Sequence, residues 1–129
     1  MEGSRLSEVK RALRWVVHFK ELSGEARKGF LRAFPRRFRR IAPHLGHARL
    51  FTNPEEVYRF LSSLHCVDCT TYCDDTLYRW LRKRGLYVIP ESRVPRGLRP
   101  LMLLADNLAN YYRVMRERGK TENVEELMK

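Results

Sequence analysis

Between Glu25 and Ile41 the apolar residues Phe30, Phe34, Phe38 and Ile41 recur every three or four positions. The same stretch holds seven cations: Arg27, Lys28, Arg32, Arg36, Arg37, Arg39 and Arg40. That is the period of a helix with one aromatic edge and a basic remainder. Pro35 stands in the middle of the pattern. A proline inside a helix removes a hydrogen bond and crowds the preceding turn. The stretch is therefore expected as two short helices meeting at a bend near Phe34–Pro35.

The charge of the whole chain follows the same bias. Of 129 residues, 26 are Lys or Arg and 15 are Asp or Glu, a net charge of +11. Residues 1–50 hold 13 of the cations against 4 acids, whereas residues 101–129 hold 5 of each. A one-signed half attached to a neutral half suits a polyanion better than it suits a generally solvated surface. Twenty of the cations are Arg and six are Lys. The flat guanidinium fork matches two phosphate oxygens at once and stays charged, which favours a phosphate backbone as the partner.

The remaining segments read as further helices. Ser7 to about Leu22 is expected as one helix, capped by Ser7, with Lys10, Arg11, Arg14 and His18 as a basic stripe and Ser23-Gly24 as its end. Asn53-Pro54-Glu55-Glu56 combines a cap, a proline in the first turn and two acids at the positive end of the helix dipole. A second start lies at Cys73-Asp74-Asp75, followed by an apolar face of Leu77, Trp80 and Leu81 and a stop at Gly85. Leu86–Ile89 has no visible partner strand and reads as an extended linker. Residues 90–100 read as a proline-rich loop. The last long helix opens near Arg99-Pro100, carries Leu101, Leu104, Leu108, Tyr111, Tyr112 and Met115, and stops at Gly119. Thr121 caps a short terminal helix. The fold class is all-α, with a basic, kinked helical arm over residues 1–50 and a compact helical bundle over 51–129. No apolar run nears the roughly 20 residues of a membrane span, and no signal-peptide core is present. The chain is expected to be soluble.

Cys66, Cys69 and Cys73 sit together as Cys-x2-Cys-x3-Cys, next to His65. On a helix the thiols would share about one face. Three readings stay open: buried small apolar residues, a disulfide, or a metal site. The metal reading is the poorer fit to spacing, because a structural zinc site usually joins two separated ligand pairs. His18, His44 and His47 lie in basic or loop segments. Asp74 and Asp75 are adjacent and serve capping better than metal binding. No nucleophile triad, metal-protease motif, phosphate-cradling glycine loop or catalytic carboxylate pair is present. No enzyme activity and no cofactor are expected.

A basic, proline-broken helical arm, then a helical bundle, then Leu103-Leu104-Ala105-Asp106-Asn107-Leu108-Ala109-Asn110-Tyr111-Tyr112-Arg113 with Thr121-Glu122-Asn123-Val124 after it, resembles a known group. The chain is similar to the major coat proteins of filamentous viruses of hyperthermophilic archaea, of the rudivirus, lipothrixvirus and tristromavirus kind. The resemblance spans the chain as architecture and about 25 residues as a motif; the cysteines lie outside it. It implies a virion protein assembled in the host cytoplasm. It implies subunits paired as homodimers or as heterodimers of two paralogous chains, building a helical filament around double-stranded DNA held in the A form. It leaves open whether a lipid envelope surrounds that filament. Wrapping would be sequence-independent, with Lys10, Arg11, Arg14, Arg27, Lys28, Arg32, Arg36, Arg37, Arg39 and Arg40 on the phosphates. The aromatic edge of Trp15, Phe19, Phe30, Phe34 and Phe38 is expected against neighbouring subunits. The competing readings are a small all-α regulator of helix-turn-helix type, a helical subunit of an RNA-guided complex, and a redox or metal module.

Overall fold

The computed structural model describes residues 8, 9, 11–45, 48–64 and 69–120. Helix accounts for 68% of the described residues, so the protein is mainly α. Four helices carry the fold: α1 (Gly24–Ile41), α2 (Pro54–Ser63), α3 (Asp75–Lys83) and α4 (Arg99–Glu117). Two compact units form, one from residues 1–50 with 100–129 and one from residues 51–99. The boundary at residue 50 thus separates the two units, but the first 50 residues are not an arm by themselves. They share a core with the last long helix.

In the first unit, α1 is one unbroken helix of 18 residues that contains Pro35. The expected division into two short helices does not occur. A mid-helix proline costs about 3 kcal/mol, while each fully buried Phe, Leu or Ile side chain contributes about 1.5–3 kcal/mol. Phe30, Leu31, Phe34, Phe38 and Ile41 are all buried on this helix, so packing outweighs the lost bond. The Ser23 hydroxyl accepts from the Ala26 N–H at 3.2 Å and starts it.

The segment before α1 also departs from expectation. Glu8, Val9, Arg11 and Ala12 are helical, a turn follows at Leu13–Trp15, and Val16–His18 have no regular structure. A single 3-10 turn then covers Phe19–Glu21. The reason lies on α4. The Val17 N–H donates to Asn107 Oδ1 at 3.2 Å, and Asn107 Nδ2 donates to the Val17 carbonyl at 2.7 Å. The amide side chain completes both backbone bonds of Val17 as a neighbouring strand would. Asn107 itself is 0% exposed. The break has a packing consequence: on one continuous helix Leu13 and Phe19 would stand about 120° apart, yet both are buried in the same core.

That core is an aromatic ladder. The Phe34 ring lies 4.8 Å from Tyr111, 5.7 Å from Trp15, 5.7 Å from Phe38 and 5.9 Å from Phe30, centroid to centroid. The aromatic edge expected at a subunit contact is therefore spent inside the chain. From α4, Leu104, Leu108, Tyr111, Tyr112 and Met115 face the core as the spacing predicts, with Leu101 packed at its margin. Gly119, at φ 74°, ends the helix: its N–H donates to the Arg116 carbonyl and the Lys120 N–H to the Met115 carbonyl. This double bond pattern needs a residue with positive φ at that position, which glycine adopts freely.

The second unit is smaller in core. Asn53 Oδ1 accepts from the Glu56 N–H at 3.0 Å and caps α2, with Pro54 as its first residue. Asp74 Oδ1 accepts from the Leu77 N–H at 2.7 Å and caps α3. Both starts were legible. The linker reading of Leu86–Ile89 fails in part: Ile89–Pro90 (β2) pairs in parallel with Tyr72–Cys73 (β1). The partner strand lies at the end of the cysteine motif, where a helix would have put the thiols on one face. Cys73, Leu81 and Val88 are buried, with Val57, Leu61, Leu77, Trp80 and others packed against them. The expected loop at 90–100 contains two 3-10 turns, Glu91–Arg93 and Arg96–Leu98. The expected terminal helix after Thr121 lies outside the described residues. No described helix is long and apolar enough to cross a membrane.

Candidate nucleic-acid interface

The cations of α1 divide into two groups by the face they occupy. Lys28, Arg32, Arg36, Arg39 and Arg40 are exposed, on the side opposite Phe34 and Phe38. Only Lys28 among them has an acidic partner among the described residues, Glu25 at 3.6 Å, with both side chains largely in solvent. An exposed pair of that kind contributes about 0–1 kcal/mol and leaves Lys28 available.

Arg27 and Arg37 behave differently. The Arg27 guanidinium stacks 5.1 Å from the Phe19 ring centroid and donates to the Lys20 carbonyl at 2.9 Å. Its Nε is buried without a hydrogen-bond partner among the described residues. Arg37 stands 6.0 Å from the Trp15 centroid. Both fasten the segment before α1 onto the helix, and their charge is partly spent on the rings. Both are candidate phosphate contacts by sequence, and in the structure each lies over a ring. Arg11 and Arg14 are exposed, away from α1's helical register because the chain turns at Leu13–Trp15. Lys10 lies outside the described residues.

Two further cations join the α1 face. A groove of about 470 Å³ is lined by Lys28, Leu31, Arg32 and Pro35 from α1 and by Tyr111, Met115, Arg118 and Lys120 from the end of α4. Four cations and no carboxylate line it. Sequence reasoning missed Arg118 and Lys120 because the charge of residues 101–129 sums to zero. The signal was present in the glycine stop: Gly119 places its two neighbours at the helix end, where the turn brings them beside α1.

Just before Gly24, Val16–His18 are irregular and Phe19–Glu21 form a 3-10 turn, in place of the helix expected from Ser7 to about Leu22.

The cysteines separate. Cys69 is disulfide-bonded, and Cys73 is a free, buried thiol. Burial, and secondarily the Asp74 carboxylate, pushes the Cys73 thiol up to about 11. A thiol held protonated is a poor metal ligand and nucleophile. Cys66 and His65 lie outside the described residues, and among those described no group of three His, Cys, Asp or Glu side chains could hold a metal ion.

Compared with protein-family models, curated proteins and solved structures, the chain matches none.

Proposed function

We propose that this chain is a structural protein that packages double-stranded DNA, gripping the phosphate backbone sequence-independently on the exposed cationic face of α1. The observation that carries this reading is the sorting of cations on that helix. Lys28, Arg32, Arg36, Arg39 and Arg40 are left in solvent with almost no acidic partners, while the aromatic residues between them are consumed by the core. A face with several arginines and no buried recognition element suits phosphates rather than base edges. Arg118 and Lys120 extend it. The assembly into a filament of paired subunits, in a virion, rests on the family resemblance. In this form of the proposal the DNA meets a folded unit rather than a free arm.

The test is a titration of long linear duplexes of two unrelated sequences at several salt concentrations. Both should bind equally and lose affinity steeply with salt. The triple variant Arg36→Ala, Arg39→Ala, Arg40→Ala should bind both sequences more weakly and flatten the log–log salt slope by about 0.9 per lost phosphate contact. A strong preference for one sequence, or an unchanged slope in the variant, overturns the reading.

A further inference from the structure

The second unit holds a feature that neither packing nor capping accounts for. Tyr87 is 80% exposed, on a backbone whose neighbours are fixed. Leu86 packs against the small core, Val88 is buried in it, and the Ile89 N–H donates to the Thr71 carbonyl at 2.9 Å. The segment alternates inward and outward like a strand, and the outward position carries an aromatic ring. The turn before it is equally fixed. Gly85, at φ 85°, donates to the Arg82 carbonyl at 3.0 Å, and the Leu86 N–H donates to the Leu81 carbonyl at 3.2 Å. The phenol ring is thus held in solvent by a rigid frame.

A cation lies over this ring. The Arg82 guanidinium lies 5.8 Å from the Tyr87 centroid. Arg79 and Lys83 share the exposed side of α3 with it, and none of the three makes a salt bridge among the described residues. Arg84 is the contrast: it sits 3.8 Å over Trp80 and pairs with Glu55 at 3.2 Å, so it serves the unit's own packing. The negative end of the α3 dipole accounts for cations in the last turn. It does not account for an exposed tyrosine beside them.

We propose that Tyr87, with Arg82, Arg79 and Lys83, is a second nucleic-acid site, one that takes single-stranded nucleic acid by stacking a base on the tyrosine and holding the flanking phosphates with the three cations. Every base has a π-face and every link a phosphate, so a fixed exposed ring beside a helix face of exposed cations recognises a strand without regard to sequence. A duplex hides its base faces and cannot use the ring. The site is independent of the α1 face and does not require the packaging role.

The test uses the full chain and fluorescently labelled oligo-dT, an abasic oligomer of the same length, and a duplex. The wild type should bind oligo-dT more tightly than the abasic oligomer. Tyr87→Ala, at a position open to solvent, should lower oligo-dT affinity about tenfold, erase the preference over the abasic oligomer, and leave duplex affinity unchanged. Tyr87→Phe should keep the preference, because the ring and not the hydroxyl does the stacking. Arg82→Ala should weaken both oligomers alike. Equal wild-type affinity for oligo-dT and the abasic oligomer would overturn the proposal, as would equal losses for oligo-dT and duplex in Tyr87→Ala. The triple α1 variant separates the two sites: loss of duplex binding with oligo-dT binding retained supports the stacking site, whatever becomes of the packaging role.

Discussion

The two units solve the same packing problem with different materials. The first buries a ladder of rings, with Phe34 touching Trp15, Phe30, Phe38 and Tyr111. The second gathers a small core around Cys73, Leu81 and Val88, and lays the Arg84 guanidinium over Trp80 as part of its cover. The first unit buries its rings and leaves most of the α1 arginines outside the core. The second buries no ring fully, and an arginine lies over the half-buried Trp80. Arg27 and Arg37 are the exceptions inside the first unit, each lying over a ring at the edge of the ladder. An arginine in this protein is thus available to a ligand only where the apolar core does not need it.

The sharpest way to break that comparison is to remove one central side chain from each core. Phe34→Ala deletes a ring that is 0% exposed and shared by four others. It should cost about 3–5 kcal/mol by urea denaturation. Leu81→Ala also removes a fully buried side chain, but its neighbours Val57, Tyr58, Leu61 and Leu77 are only half-buried and can close over the gap. Its cost should fall near the lower end of the Leu→Ala range, about 2–3 kcal/mol. If Leu81→Ala proved the more damaging, the second unit would depend on its small core more than its composition suggests.

How much of this was legible follows from which interactions are local. Asn53, Asp74, Gly85 and Gly119 act within four or five residues of themselves, and each was read correctly from sequence. The helical period of Phe30, Phe34 and Phe38 was equally plain, and so was the buried face of α4. What escaped was long-range. Nothing near Val17 announces that Asn107, ninety residues away, will hold it outside a helix. Nothing near Pro35 announces that a ladder of rings will keep its helix whole. Tyr72–Cys73 was hidden as a strand because the cysteine spacing invites a helix. For the candidate interface, composition marks the first 50 residues as the basic part of the chain. It could not separate Arg27 and Arg37, which lie over rings, from Arg36 and Arg39, which do not.

Asn107 tests the long-range part directly. Asn107→Leu keeps the side-chain size and leaves the N–H and C=O of Val17 without their partners. Each orphaned group costs about 1–3 kcal/mol when buried. Because Val17 is only half-buried and water can replace part of the loss, the expected total is about 2 kcal/mol. A cost within about 0.5 kcal/mol of zero, the level of an ordinary surface change, would mean that the segment before α1 is held by Leu13, Trp15 and Phe19 alone.

The last comparison belongs to the second unit and concerns pH. The Cys73 thiol is pushed up to about 11 by burial and by Asp74, whereas an unfolded thiol titrates near 8.5. Above pH 8.5 the unfolded chain loses this proton and the folded chain keeps it. The unfolded state therefore binds fewer protons, and stability falls as pH rises toward 11. Cys73→Ala removes that dependence and leaves a constant offset from the small cavity. All other groups are common to both proteins, so the informative quantity is the difference between their denaturation curves at each pH. The wild type should lose stability relative to Cys73→Ala between pH 8.5 and 11 and run parallel to it below pH 8. Parallel curves throughout would mean that the thiol is open to water, and that the core of the second unit is looser than its buried trio implies.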